Sequence, residues 1–244
     1  MNMRNQLCMA AALLLSFSST WAGTVTFSDQ IGNHFAFRNM TEFGANVPPS
    51  SLDLPTLITN PYDTIKFRPS TFLVVESNGP VRESSSLSSE LSFALNSLAG
   101  LAIQEIKISV TGTYATTLFS NPAADASVGL SLALDLTHGT TVWNRVVPIV
   151  KDPTNLSWSG ILTLSQADLN SYFSPPSMEI QQLSIRATPT VTADALYANA
   201  RSQINYLDFT VVAIPEPGSW QLVLAALSMG LLVRKRKTKS VRPW

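Results

Sequence analysis

The sequence predicts an all-β protein: a single β-sandwich of jelly-roll type, followed by one C-terminal transmembrane helix. Two observations carry the sandwich. Ile106, Ile108, Val110, Gly112 and Tyr114 alternate with Lys107, Ser109, Thr111 and Thr113, and Leu130, Leu132, Leu134 and Leu136 alternate with Ser131, Ala133 and Asp135. A period of two places one set on each face of a strand. Some nine to eleven such runs, with turn signals every 8–15 residues, fill residues 23–213, the spacing of a sandwich. A third observation carries the helix: the 14 residues from Trp220 to Val233 contain only Gln221 and Ser228 as polar side chains.

In chain order, residues 1–22 read as a signal peptide. Arg4 supplies the positive start, Ala10 to Phe17 the apolar run, and Thr20-Trp21-Ala22 a small-residue cleavage site that leaves Gly23 as the mature N-terminus. Cys8 is the single cysteine and leaves with the signal peptide. The exported domain is therefore expected to lack disulfides and to be held by its core alone.

Val25 to Phe27 and His34 to Phe37 are short strand candidates around an Asp-Gln-Ile-Gly turn. Pro48, Pro49, Pro55, Pro61 and Pro69, with Pro80 soon after, mark Ala45 to Ser70 as loop or edge strand. Thr71 to Glu76 is a strand, Ser84 to Ser89 a polar and flexible stretch, and Leu91 to Leu95 an alternating strand. After the two central repeats, His138-Gly139 turns the chain into Thr141 to Val147, and Leu156 to Leu164 follows. Ser165 caps a short helix, Gln166 to Phe173, stopped by Pro175-Pro176. Met178 to Ala187, Val191 to Ala200 and Ile204 to Val212 are the last strands, with a face slip between Tyr206 and Leu207 that predicts a bulge.

The end of the chain, residues 214–244, reads in three parts. Pro215, Glu216 and Pro217 fix an extended turn, because each proline sets φ, removes a donor and biases its predecessor away from helix. The apolar segment 219–233 follows. Its 14 core positions cover roughly 21 Å as a helix, short of the ~30 Å hydrocarbon layer. Trp220 on one side and the basic end 234–244, led by Arg234, Lys235, Arg236 and Lys237, extend the effective span by snorkelling. Basic residues directly after an apolar segment form a stop-transfer signal that leaves the C-terminus cytoplasmic.

These three parts, in this order at the extreme C-terminus, resemble the PEP-CTERM sorting signal of Gram-negative bacteria. The resemblance covers residues ~214–237 and implies recognition and cleavage by a membrane-embedded sorting protease, an exosortase, in exopolysaccharide-producing organisms. It further implies export through the inner membrane, transient anchoring there, and release to the cell surface or extracellular matrix. It is silent on the domain that precedes the tail.

Charge narrows the partners. The chain has 16 basic and 16 acidic residues. Six of the basic residues lie after Val233 and one in the leader, whereas only Glu216 among the acids lies outside the domain, so residues 23–213 carry about −6. That argues against nucleic acid, which needs clustered cations.

No catalytic motif is present: there is no G-x-S-x-G, H-E-x-x-H, P-loop or G-x-G-x-x-G. His34 and His138 each sit beside a glycine turn. Asp29, Asp125, Asp152, Asp168 and Asp194 fall in or near turns without a calcium-loop pattern. Trp143 and Trp158 are the candidate glycan-stacking rings, with Tyr172, Tyr197 and Tyr206 behind them, since such rings offer an apolar face and a polar edge. The expectation is a non-enzymatic surface or matrix protein without metal or cofactor, with a structural or adhesive role tied to exopolysaccharide. A glycan-binding module and a secreted hydrolase are the alternatives.

Overall fold

The computed structural model describes residues 23–44, 51–98, 100–173 and 179–214. Fourteen strands form two seven-stranded antiparallel sheets. Sheet A has the order β1 (Gly23–Thr26), β3 (Phe35–Gly44), β7 (Glu83–Ser97), β13 (Gln182–Leu196), β9 (Asp125–His138), β10 (Thr141–Val146), with β2 (Gln30–Ile31) also on β3. Sheet B has the order β11 (Ile149–Asp152), β12 (Ser157–Ser165), β8 (Ala102–Leu118), β14 (Ala198–Ile214), β5 (Asp63–Phe67), β4 (Thr56–Ile58), with β6 (Leu73–Asn78) also on β14. Helix α1 (Gln166–Phe173) follows β12.

The core lies between the sheets, as the alternation requires. Ile106, Ile108 and Val110 of β8 and Leu132, Leu134 and Leu136 of β9 are buried, while Lys107, Ser131 and Ala133 are exposed. Phe93 of sheet A meets Phe209 of sheet B edge-to-face at 5.1 Å, a pair that contributes ~1 kcal/mol beyond its buried area. Buried Ser202 of β14 donates across the interior to the Gly129 carbonyl of β9 at 3.0 Å.

The helix is capped as its sequence predicts. Ser165 Oγ accepts from the Asp168 amide at 3.2 Å, and the Asp168 carboxylate accepts from the Ser165 amide and hydroxyl. This reciprocal pair satisfies donors that a helix start leaves open and sets a negative charge in the first turn. Hydrogen bonding to the ionised form, with the Ser165 hydroxyl contributing most, holds the Asp168 carboxyl below its ordinary range.

Two expectations about strands need correction. Ser84 to Ser89 is not a flexible stretch but the first half of β7, paired residue by residue with β13. The chain from 182 to 196 is one strand and continues through Pro189. Its ladder to β9 is unbroken, while that to β7 lapses at Thr188 and Pro189, so the missing proline donor falls where pairing is suspended. The true break is at Tyr197, in left-handed backbone with φ 46°.

The bulge in β14 exists, one residue earlier than predicted. Its register to β8 shifts between Ile204 and Tyr206, which turns Tyr206 outward, 42% exposed, and returns Leu207 to the core. Gly112 faces Ile204 across this point. A Cβ there would stand 2.2 Å from the Gln203 carbonyl, so only glycine permits the close approach of β8.

Beside the bulge, Lys66 pairs with Asp208 at 3.2 Å, and Lys66 and Arg68 both lie over the Tyr206 ring. Burial pushes the Asp208 carboxyl above its ordinary range, with Lys66 opposing. A raised folded-state value means that Asp208 favours folding below the unfolded aspartate pKa and loses that contribution as pH rises through the folded value. We therefore expect Asp208→Asn to gain melting temperature relative to the parent as the buffer is taken from about pH 3 to about pH 7. A difference in melting temperature that stays flat or moves the other way would refute this account.

Among the described residues, no helix is long and apolar enough to cross a membrane. The signal peptide, Pro215, Glu216, Pro217, the segment 219–233 and Arg234 to Lys237 all lie outside the described residues.

Candidate functional site

Trp158 and Trp143 do not form a stacking platform. Trp158 is a core residue, 6% exposed, packed on Tyr114 with ring centroids 4.8 Å apart and with the Lys151 ammonium over both rings. Its position opposite Gly112 on the inward face of sheet B explains this: the missing glycine side chain leaves the volume that the indole fills. Trp143 pairs with buried Leu136, so it also points inward, at the edge strand β10. There it stacks on Tyr172 of α1 at 4.7 Å and lies under the Arg145 guanidinium. Trp158 is thus closed to a sugar by burial, and Trp143 is already engaged by Tyr172 and Arg145.

The two histidines do not meet. His34 precedes β3 and His138 ends β9; β7 and β13 lie between, so their backbones are roughly 14 Å apart at the usual strand spacing. His138 Nδ1 lies 2.9 Å from the Gln182 carbonyl. Among the described residues no cluster of three or more His, Cys, Asp or Glu has the arrangement of a metal site.

What the fold assembles instead is a polar row on the outer face of sheet A. Asn144 of β10 donates to Asp135 Oδ1 of β9 at 2.6 Å. Arg186 of β13 donates from Nε to Asp135 Oδ2 at 3.1 Å and from Nη1 to Glu90 Oε2 of β7 at 3.3 Å. Register dictates this row. Asn144 is opposite Asp135 on one side, Arg186 is opposite Asp135 on the other, and all three are outward positions of their strands. Asp135, Glu90 and Arg186 stay 29%, 38% and 52% exposed at their side chains, so the row is fixed yet reachable.

Beside the row lies a depression of about 410 Å3. Its floor is made of small side chains, chiefly Ser92, Ala94 and Ser184, with Val142 of β10 on one flank and Asn39 of β3 on the other. Asn39 stands at φ 53°, where the β3–β7 register shifts between Arg38 and Thr41, and its amide donates to Asp29 at 2.9 Å. A β-bulge that re-aims one side chain at the rim of a sheet is a recurrent site-building device. Chemically the arrangement offers oriented charged acceptors, guanidinium donors and a small apolar flank, the complement of a ligand rich in hydroxyl groups.

No protein-family model matches the chain, and no curated protein matches it. Among solved structures, the chain is similar to TmCBM61, determined in complex with β-1,4-galactotriose, at 11% identity and a TM-score of 0.24, over 72% of this chain and 86% of that one. A second similarity, at 7% identity and a TM-score of 0.17, is to the enzymatically active domain of bacteriophage CBA120 tailspike protein 4, over 56% of this chain and 19% of that one. The third is to infectious bursal disease virus, Gt strain, at 14% identity and a TM-score of 0.17, over 78% of this chain and 56% of that one.

Proposed function

We propose that the chain is an exported protein of the cell surface or extracellular matrix, sorted through its C-terminal tail by a membrane-embedded, exosortase-like protease. In this reading residues 1–22 direct export, a jelly-roll sandwich at 23–213 is the working domain, and 214–244 anchors it briefly in the inner membrane. Its role is structural or adhesive, in association with exopolysaccharide. The observation that supports it is where the ladders lie. Among the described residues, β14, a central strand of sheet B, is still paired at Ile214 immediately before Pro215-Glu216-Pro217. Loss of residues 1–22 and cleavage after Ile214 would remove no strand of the described ladders. The test is mass spectrometry of the mature protein from hosts with and without the sorting protease. A shortened C-terminus only where the protease is present is expected; identical full-length C-termini in both would overturn the proposal.

A second reading, that the sandwich binds a glycan, is favoured by the Asn144–Asp135–Arg186–Glu90 row. Sugar hydroxyls need donors and acceptors already held in place, because each hydrogen bond contributes little once water is displaced.

A further inference from the structure

The depression beside the polar row is the middle one of three. One of about 430 Å3 at the His138-Gly139 turn shares Thr137 and Ser184 with it, and one of about 360 Å3 near Val146 shares Asp135 with it. They follow one another along β9 from His138 to Ala133, a run of roughly 17 Å at ~3.4 Å per residue. The result is a trough, too long for a single sugar ring and shaped for a chain.

Its chemistry narrows the chain. Along the β10 flank, Val142 and Val146 alternate with Asn144 on the outward face, 53% and 63% exposed at the two valines. An apolar, polar, apolar sequence at alternate positions places the two apolar patches about 14 Å apart with the polar group midway. Pyranose rings in a linear polymer repeat apolar C–H faces between hydroxyl edges in the same manner. Charge along the trough balances: Asp135 and Glu90 face Arg186, and exposed Arg38 of β3 stands opposite Ala94 of the floor. Neither a polyuronate nor a polyamine gains a net field there. The trough lies on the face of the sheet over β9, whose backbone groups are spent on the ladders to β10 and β13, so a peptide seated in it has no strand to pair with.

We infer that this trough binds a linear, uncharged polysaccharide and engages several consecutive sugar units. The inference rests on the glycan reading of the sandwich and adds to it the length and charge of the ligand. Among the described residues no exposed aromatic ring lines the trough, Phe93 being buried and Trp143 turned inward, so affinity must accumulate from many modest contacts. It should therefore depend steeply on length.

The experiment is calorimetric titration of the full chain with neutral linear gluco-, galacto- and manno-oligosaccharides, from disaccharide to hexasaccharide. Oligouronates, chitosan oligomers, an extended peptide and polysaccharide extracted from the producing cells are run beside them. Affinity for the matching neutral series is expected to rise at least about tenfold from disaccharide to hexasaccharide. Asp135→Asn should weaken the hexasaccharide by about tenfold or more by removing a charged acceptor. Ser184→Trp, an outward substitution that fills the floor, should abolish binding while leaving the melting temperature within a few degrees of the parent. If no oligosaccharide or extracted polysaccharide binds, the glycan reading itself falls. Equal affinity for disaccharide and hexasaccharide would leave that reading standing and sink the extended trough. Tighter binding of a charged oligomer or of the peptide, or full binding by Ser184→Trp, would also overturn the inference.

Discussion

Asp63→Ala is expected to destabilise the sandwich by about 3–4 kcal/mol, lowering its melting temperature by about 6–16 °C for a domain of this size. Asp63 is fully buried on β5 of sheet B, and its carboxylate accepts three consecutive backbone amides from the turn that opens β3 of sheet A: Asn33 at 2.9 Å, His34 at 2.6 Å and Phe35 at 2.8 Å. It thus ties one sheet to the other. Truncation strands those donors, and the Phe35 amide, in a fully buried residue, has no route to water. Gly32 belongs to the same device. A Cβ on it would stand 2.4–2.6 Å from the Asp63 carboxylate, so glycine lets the turn close onto the acid. Thermal or denaturant unfolding of the variant decides the matter; a loss below about 1 kcal/mol would mean that water replaces the carboxylate at little cost.

The central strands were legible because each has one face in the core and one in solvent, so burial imposes a period of two on the residues. Ile106 to Tyr114 and Leu130 to Leu136 follow it without exception. Misreadings arose where polar residues occupy inward positions. Ser89 on β7 is buried because its hydroxyl donates to buried Glu42 of β3, which also accepts from Ser51 and from the Leu52 amide. With a serine facing in, the alternation of Ser84 to Ser89 disappears. Pro189 misled in the opposite direction, since a proline inside a run ordinarily marks its end. Tyr197, where the chain does turn, carries neither glycine nor proline.

The candidate site was not legible, and register is the reason. Glu90, Asp135, Asn144 and Arg186 are spread over four strands, and they converge only once β7, β13, β9 and β10 are paired in one order. A one-residue slip in any of them would send its member into the core. The tryptophans attracted attention for a sound chemical reason, yet a sequence does not say which face of a strand an indole occupies. Their inward-facing partners, Leu136 for Trp143 and Gly112 for Trp158, do.

If residues 214–244 act as the proposed sorting tail, Glu216→Ala should leave export and membrane insertion intact and stop processing, so that full-length protein accumulates in the inner membrane. The substitution removes the only charge in the Pro-Glu-Pro turn and changes neither the apolar segment nor the basic end that sets orientation. Replacing Arg234, Lys235, Arg236 and Lys237 with Ser must fail differently. Fourteen residues with two polar members supply little insertion energy, and without flanking cations the stop-transfer signal weakens. That variant should pass into the periplasm unprocessed. An ordinary membrane anchor separates from a sorting signal at this point: its behaviour depends on the apolar and basic parts and is indifferent to Glu216. Fractionation and immunoblotting of the two variants beside the parent distinguish the cases, and normal processing of Glu216→Ala would remove the sorting proposal.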